Sequence, residues 1–428
     1  MKKRWKDYAA MKIKTILLSV FLLLITDSAY AANLPTVGYY ISLFGVLAFG
    51  VLSLINLFLK FWKDNKTPFS FAIVAILCGW IFIFSYLQGA GWGPPLKYVF
   101  ILFTAYYVAA TYDFDELMRS VVNVLFVLAA AAVAMWIIVF FSPGIYDILP
   151  QMNVVLGGVQ PAVYRTIGLA NMYWPFYEPI PRLYSVFWEP GVAQAYFNIA
   201  IVLSLKLIKG KKKILYISVF IVAVILTLST TGYIVCVAIL LYILLSRKGD
   251  GISESKAISR LKIGILIGVT VLLIFLPTIT STDLYLSVFE KLNGGMENAS
   301  VESRVISIIG NLEVVIRHPL TGVGLNQADV ALREYGYYIN QTNTVMSYFA
   351  TFGVLIGTLF VLAWGSFLKS ISHSTMEFAA LIISFLLIFS GEDFIQSLFF
   401  NILMMYGWIS LFDYRFLFRK DYERVKAE

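Results

Sequence analysis

The sequence predicts an all-α, polytopic membrane protein with about 12 transmembrane helices and two large loops on its outer side. Three observations predict it. The 428 residues are 60% hydrophobic and 14% charged, with mean hydropathy +0.80, which leaves too little polar surface to coat a soluble domain. The apolar residues come in runs, many of roughly 17–25, the length that crosses the hydrocarbon core of a bilayer. The basic residues cluster on one side of those runs, so the net charge of +8 marks cytoplasmic loops and not a nucleic-acid surface.

The elements follow in order. Met1 to Lys14 is basic, Ile16 to Ile25 is apolar, and Ser28-Ala29-Tyr30-Ala31 resembles a cleavage site. Residues 1–31 are therefore either a signal peptide or a first helix with its basic end inside. Spans are expected at Val37–Phe61, Pro68–Gly89, Tyr98–Tyr112 and Ser120–Phe141. A polar loop, 142–190, follows outside. Gly191–Ile208, Ile214–Leu228 and Tyr233–Leu245 come next, then a basic inner stretch from Arg247 to Lys262. Ile263–Leu276 leads out to the second loop, 277–343. Thr344–Phe367, Phe378–Ser390 and Leu398–Leu411 complete the set, and the tail from Arg415 is inside. Both termini are thus expected in the cytoplasm, and the whole chain, 1–428, is expected to form a single membrane domain. Cys78 and Cys236 fall inside apolar spans as packing residues.

Of the 33 Lys and Arg residues, all but Lys97, Arg165, Arg182, Lys291, Arg304, Arg317 and Arg333 lie on the inner side of this topology. Outer arginines run against the positive-inside rule and need another reason. All but Lys97 of these exceptions sit in the two large loops.

In the second loop, 301–317 has helical periodicity. Val305, Ile308, Ile309, Leu312, Val315 and Ile316 share a face, Ser300 is a candidate N-cap, and Pro319 should stop the helix. Arg304 and Arg317 flank the apolar stripe, as on an amphipathic helix lying on the membrane or over the bundle. The bland readings are a helix-dipole contact for Arg317 and a solvated edge for Arg304. In the first loop, Arg182 and Glu189 precede Pro190, which suits the first turn of a helix. Glu189 there is either a dipole partner or a functional charge at the bilayer boundary. The aromatics Tyr173, Trp174, Phe176, Tyr177, Tyr184 and Trp188 are either an interfacial belt or stacking surfaces for sugar rings.

Guanidinium groups grip phosphate through paired N–H donors. Arginines at the outer face point to a lipid-linked phosphate or diphosphate, whose departure arginine stabilises without a metal. A base for a sugar hydroxyl has outer candidates in Glu178, Glu189, Glu302 and His318. Asp113-Phe114-Asp115 resembles a metal-binding Asp-x-Asp but falls on the inner side. No phosphate- or dinucleotide-binding glycine motif stands in proper context, so no cofactor, metal or nucleic-acid partner is expected. His373 reads as a solvated loop residue. Glu392 and Asp393, between the last two spans, are either functional or simply hydrated.

The stretches Arg182-Leu183-Tyr184-Ser185-Val186-Phe187-Trp188-Glu189-Pro190-Gly191, Ser229-Thr230-Thr231-Gly232, and Glu302-Ser303-Arg304 through Arg317-His318-Pro319-Leu320-Thr321-Gly322-Val323-Gly324 carry a family resemblance. With Asn343 and Gly353, they resemble the Wzy-type polysaccharide polymerases, in the superfamily that includes the O-antigen ligases. The resemblance covers roughly 174–357. It implies a C-type integral membrane glycosyltransferase fold and polymerisation of undecaprenyl-diphosphate-linked repeat units at the periplasmic face of the bacterial inner membrane. It implies that outer arginines hold the anionic donor and acceptor, a role carried to Arg182, Arg304, Arg317 and Arg165. It also implies membrane lipids, a chain-length regulator and a flippase as partners. Ligases of the superfamily carry histidine before the asparagine, where this chain has Thr342. That departure leaves the base unassigned. Glu189 is taken for it, with His318 and Arg304 as further catalytic candidates and Thr231 and Asn343 as substrate contacts. The rival readings are such a ligase, or a flippase or transporter of the same lipid-linked sugars. A transporter should show internal repeats and charges at mid-span, and neither is evident.

Overall fold

The computed structural model describes residues 2–32, 37–64, 67–154, 162–174, 180–245, 259, 262–264, 299–337 and 341–413. The expected span Ile263–Leu276, the start of the second loop at 277–298, Phe176, Tyr177, Glu178 and the tail from Arg415 lie outside most or all of these residues. The described residues form two compact units. One draws on 1–41, 115–298 and 373–388, the other on 42–114, 299–372 and 389–428.

The helices follow the apolar runs. They are α1 Lys2–Leu24, α2 Ala29–Ala32, α3 Val37–Asp64, α4 Phe69–Ser85 with a π-turn at Tyr86–Ala90, α5 Gly93–Thr111, α6 Phe114–Phe141 and α7 Gly144–Ile148. After the first loop come α8 Pro190–Leu207, α9 Lys211–Leu226 and α10 Thr230–Leu245. The remaining described helices are α11 Ala299–Arg317, α12 Ala328–Glu334, α13 Thr344–Ile371, α14 Thr375–Gly391 and α15 Leu398–Phe412. Five helices among the described residues are long and apolar enough to cross a membrane: Val37–Lys63, Phe69–Ala90, Phe114–Phe141, Pro190–Leu207 and Thr344–Ile371. Shorter apolar helices accompany them. Helix α11 starts at Ala299, so Ser300 lies inside it and not at its cap; Ala299, a strong helix former, joins the first turn. It ends at Arg317, ahead of Pro319, as that proline dictates.

One departure from an all-helical fold lies in the first loop. Strands β1 Gln151–Val154, β2 Ala162–Thr166, β3 Asn171–Tyr173 and β4 Arg182–Ser185 form an antiparallel meander in sequence order. Its inner face packs Val154, Tyr164 and Tyr184 against Ala29 of α2, with Met152, Tyr173 and Trp188 around them. Tyr164 and Tyr184 are buried, so these rings are core and not an open belt. The sheet is tied to the first unit by Trp136 Nε1, which donates to Pro181 O at 2.6 Å, and by Ser185 Oγ, which donates to Leu128 O at 3.3 Å.

Each unit is built around one helix that is apolar on every side. In the first, α8 is buried from Pro190 to Leu205 and packs on α9, α10 and β4. In the second, α15 is buried from Leu398 to Ile409 and packs on α13 and α5. All-round burial is what an all-round apolar helix requires. Gly407 permits the α13 contact, since a Cβ there would lie 2.0 Å from Ala363 O.

Candidate functional site

In the first unit, β4 delivers Arg182 to the end of α9. Its Nε donates to Thr227 O at 3.2 Å and its Nη2 reaches toward Leu228 O at 3.5 Å. Leu228 has φ 52°, a left-handed residue that ends the helix and leaves carbonyls without partners. Arg182 caps that end. Just beyond, Ser229-Thr230-Thr231-Gly232 opens α10. Gly232 lets α10 approach α8: a Cβ there would lie 2.8 Å from Gln194 Cβ, and Asn198 Nδ2 donates to Gly232 O at 3.3 Å. Thr231 is buried beside it.

Glu189 occupies the position before α8, where its side chain makes no capping bond. It shares an electrostatic neighbourhood with Arg182. Burial pushes the Tyr164 hydroxyl above its ordinary pKa, Glu189 pushes it further, and Arg182 opposes the rise. The sheet thus brings Arg182 and Glu189 to the same tyrosine, whose hydroxyl donates to Trp188 O at 2.6 Å. Arg165 stands apart on β2. It donates to Leu149 O at 3.0 Å and lies 5.4 Å from the Tyr146 ring centre, a structural brace for the sheet.

In the second unit, α11 carries Arg304 near its start and Arg317 at its end. At 1.5 Å per residue their backbones stand about 20 Å apart, too far to share one phosphate. The face of α11 with Ile308, Ile309, Leu312 and Ile316 is exposed, while Ser307, Gly310, Asn311 and Val314 face inward. A soluble helix would do the reverse, so the exposed stripe fits lipid. Arg304 is half-buried. Arg317 is 53% exposed, pairs with Glu313 and lies 4.2 Å over the Tyr335 ring. Glu313 also accepts from the Tyr337 hydroxyl at 2.9 Å, and that bond, with Arg317, holds its carboxyl below the ordinary value. His318 Nε2 is 3.0 Å from the Tyr335 hydroxyl. Arg317, His318 and Tyr335 therefore meet at one corner.

The glycine turn after that corner is seated on α13. Gly353 has φ 80° and ψ 171°, which breaks the helix and frees carbonyls of the turn before it. Val323 N donates to Ala350 O and Gly324 N to Thr351 O, both at 2.9 Å, and Val354 N donates to Pro319 O at 2.8 Å. Helix and loop exchange the bonds that the break leaves open. No side chain fits here: a Cβ on Gly322 would lie 2.4 Å from Thr351 C, and one on Gly353 would lie 2.3 Å from Leu320 O. Leu325 N reaches Ser85 Oγ at 3.1 Å, which fixes the turn to α4 as well. Asn343 is the N-cap of α13, accepting from Met346 N at 2.9 Å, so it sets that helix in place.

The acidic pair that the sequence left as functional or hydrated belongs to a polar group in the second unit. Asp329, Gln341, Thr344, Ser347 and Asp393 come together from α12, the start of α13 and the turn before α15. The acidic pair Glu392-Asp393 between two apolar spans was its visible sign. Asp113 and Asp115 stand at the start of α6, and no cluster of metal-ligating side chains occurs among the described residues.

Residues 215–362 match the family model described as O-antigen ligase. The matched stretch runs from within α9 to within α13, and so takes in Thr231, the whole of α11, the glycine turn and the break at Gly353. It supports a likeness to the superfamily of O-antigen ligases and polymerases and does not divide the two. No curated protein matches the chain.

Proposed function

We propose that this chain is a polysaccharide polymerase of the bacterial inner membrane. It takes repeat units built on undecaprenyl diphosphate and transfers the growing glycan from its carrier to a sugar hydroxyl of the next unit, on the periplasmic side, with both termini cytoplasmic. The observation that carries the reading is the corner at Arg317 and His318, seated by glycines on a broken helix within the stretch that resembles the O-antigen ligase family. A broken helix at membrane depth is tolerated where it lines a working cavity.

The roles follow from chemistry. Arg317, exposed and over Tyr335, exchanges its Glu313 partner for a diphosphate and stabilises the charge of the leaving group. Arg304, about 20 Å along the helix, suits the anion of the second lipid-linked substrate. His318, bonded to Tyr335, belongs to the Arg317 corner. In the first unit, Glu189, Arg182 and Thr231 serve the glycan side, and Gly232 sets the approach of α10 to α8. A chain-length regulator and a flippase are the expected partners.

A ligase is the second reading, favoured by the description of the matching family itself. Thr342 counts against it, because the corresponding ligase position is histidine and the Thr342 hydroxyl here is buried without a partner. The test is deletion of the gene, with complementation by wild type, Arg304→Ala and Arg317→Ala, and a gel of the surface polysaccharide. The polymerase reading predicts a single repeat unit on the lipid core and no rescue by either variant at normal expression. Complete chains retained on undecaprenyl diphosphate point to the ligase.

A further inference from the structure

Asp393 stands in the turn between α14 and α15, and the turn is held from several sides. Thr344 Oγ1 donates to Glu392 O at 2.7 Å and accepts from Phe394 N at 3.0 Å. Ile395 N donates to Asp393 Oδ1 at 3.0 Å, and the Gln396 amide donates to Asn326 Oδ1 at 2.7 Å. The carboxylate is thereby fixed, yet its side chain keeps an opening to solvent while protein surrounds the rest.

Its surroundings are unusual for a carboxylate at rest. Ser347 on α13 lies beside it and donates its hydroxyl to Gln341 Oε1, Asp329 on α12 repels it, and Glu392 precedes it in the turn. Tyr348 on α13 and Tyr98 on α5 lie within its electrostatic range. Tyr98 is fully buried, and its hydroxyl has no hydrogen-bond partner among the described residues. Arg333 acts on Asp329, and among the described residues no cation acts on Asp393. Asp329 in turn accepts from Gln341 N at 3.3 Å. With a like charge beside it, a fixed carboxylate and an open side, it has the setting of a group that takes up a proton.

We propose that Asp393 is the base that accepts the proton of the attacking sugar hydroxyl. The inference rests on the glycosyl transfer proposed above and supplies its missing acceptor. The hydroxyl oxygen bonds to the anomeric carbon of the donor. The bond from that carbon to the diphosphate breaks, and undecaprenyl diphosphate leaves with the electron pair. The proton passes to Asp393 and from there to solvent. The Ile395 N–H orients the carboxylate, and Asp329 keeps it basic. Burial first, then Asp329, raises its pKa to about 6 against the bond from Ile395. At neutral pH most of the population is then ionised and ready to accept.

The test uses full-length protein in membranes of the deletion strain, with lipid-linked repeat units extracted from that strain as the probe. Asp393→Asn should slow elongation by about 100-fold or more, as loss of a general base does, and leave KM for the lipid-linked unit unchanged. Wild type should gain activity as pH rises from about 5 to 7, and Asp393→Asn should lose that rise. Glu392→Gln should behave as wild type. Should Asp393→Asn fail to accumulate, Asp393→Glu carries the test and should keep measurable activity with a displaced pH profile. Wild-type rate and profile for Asp393→Asn would overturn the base assignment alone. An intact polysaccharide ladder in the deletion strain would overturn the polymerase reading and this inference with it.

Discussion

Arg182 and Arg317 carry the same guanidinium in two different settings. Arg182 is bonded to carbonyls at the end of α9, so removing it strips a helix cap. Arg182→Ala should lower stability by about 1–3 kcal/mol, the range for a charged hydrogen bond left unmade, and reduce the amount of protein recovered from membranes. Arg317 is exposed at the corner, so Arg317→Ala should accumulate normally and fail in elongation. Arg317→Lys should fail as well, because a point charge does not reproduce the planar fork. Comparing membrane abundance with ladder length separates the two cases. Thr342 gives a third residue-scale prediction. Its buried hydroxyl has no partner, so Thr342→Val should be neutral or mildly stabilising in thermal melts of the detergent-solubilised protein. The sign for Asp393 also follows. Its folded-state pKa lies above the unfolded one, so ionisation works against folding. That destabilisation is absent below about pH 4, grows through about pH 6 and is constant above. Relative to Asp393→Asn, wild-type stability should fall as pH rises across this window, while its activity rises.

At the scale of elements, α13 decides most. Its break at Gly353 and the turn at Gly322 and Gly324 are one structure, because each supplies the backbone bonds that the other lacks. Gly353→Ala puts a Cβ 2.3 Å from Leu320 O at a φ of 80°, which combines a clash with left-handed strain. It should cost about 2 kcal/mol or more and abolish elongation, read as a lowered melting temperature together with a lost ladder. The helices were legible in the sequence because runs of apolar residues must be helical to satisfy their backbone in lipid. Helix α11 was legible from its period and from Pro319. The four-stranded sheet was not. Its strands are three to five residues long, its order depends on pairing across the loop, and Tyr173 and Tyr184 read equally well as interfacial rings. The direction in which α11 turns its apolar stripe was open too, since periodicity gives a face and not its partner.

At the scale of the whole molecule, composition and charge asymmetry indicated a multi-pass membrane protein before any motif was considered, and the long apolar helices agree. The candidate site was legible only where it was basic. Outer arginines stand out against the positive-inside rule, whereas Asp393 and Asp329 are separated in sequence and meet only through the turn that Thr344 holds. The buried pair Lys206 and Glu377 escaped notice for the same reason, being far apart in the chain yet joined within the first unit. Glu377→Ala should destabilise that unit, because Lys206 loses its carboxylate partner and His373 N loses its acceptor, and the loss should show as a lowered melting temperature. The central claim is elongation, and its most direct test is reconstitution. Purified protein in lipid vesicles would receive undecaprenyl-diphosphate-linked repeat units alone, without nucleotide or lipid A core, and the products would be sized by mass spectrometry. Glycans of two, three and more repeats on one carrier, with undecaprenyl diphosphate released, is the predicted result. No elongation until lipid A core is added, followed by transfer of the glycan to that core, would contradict it.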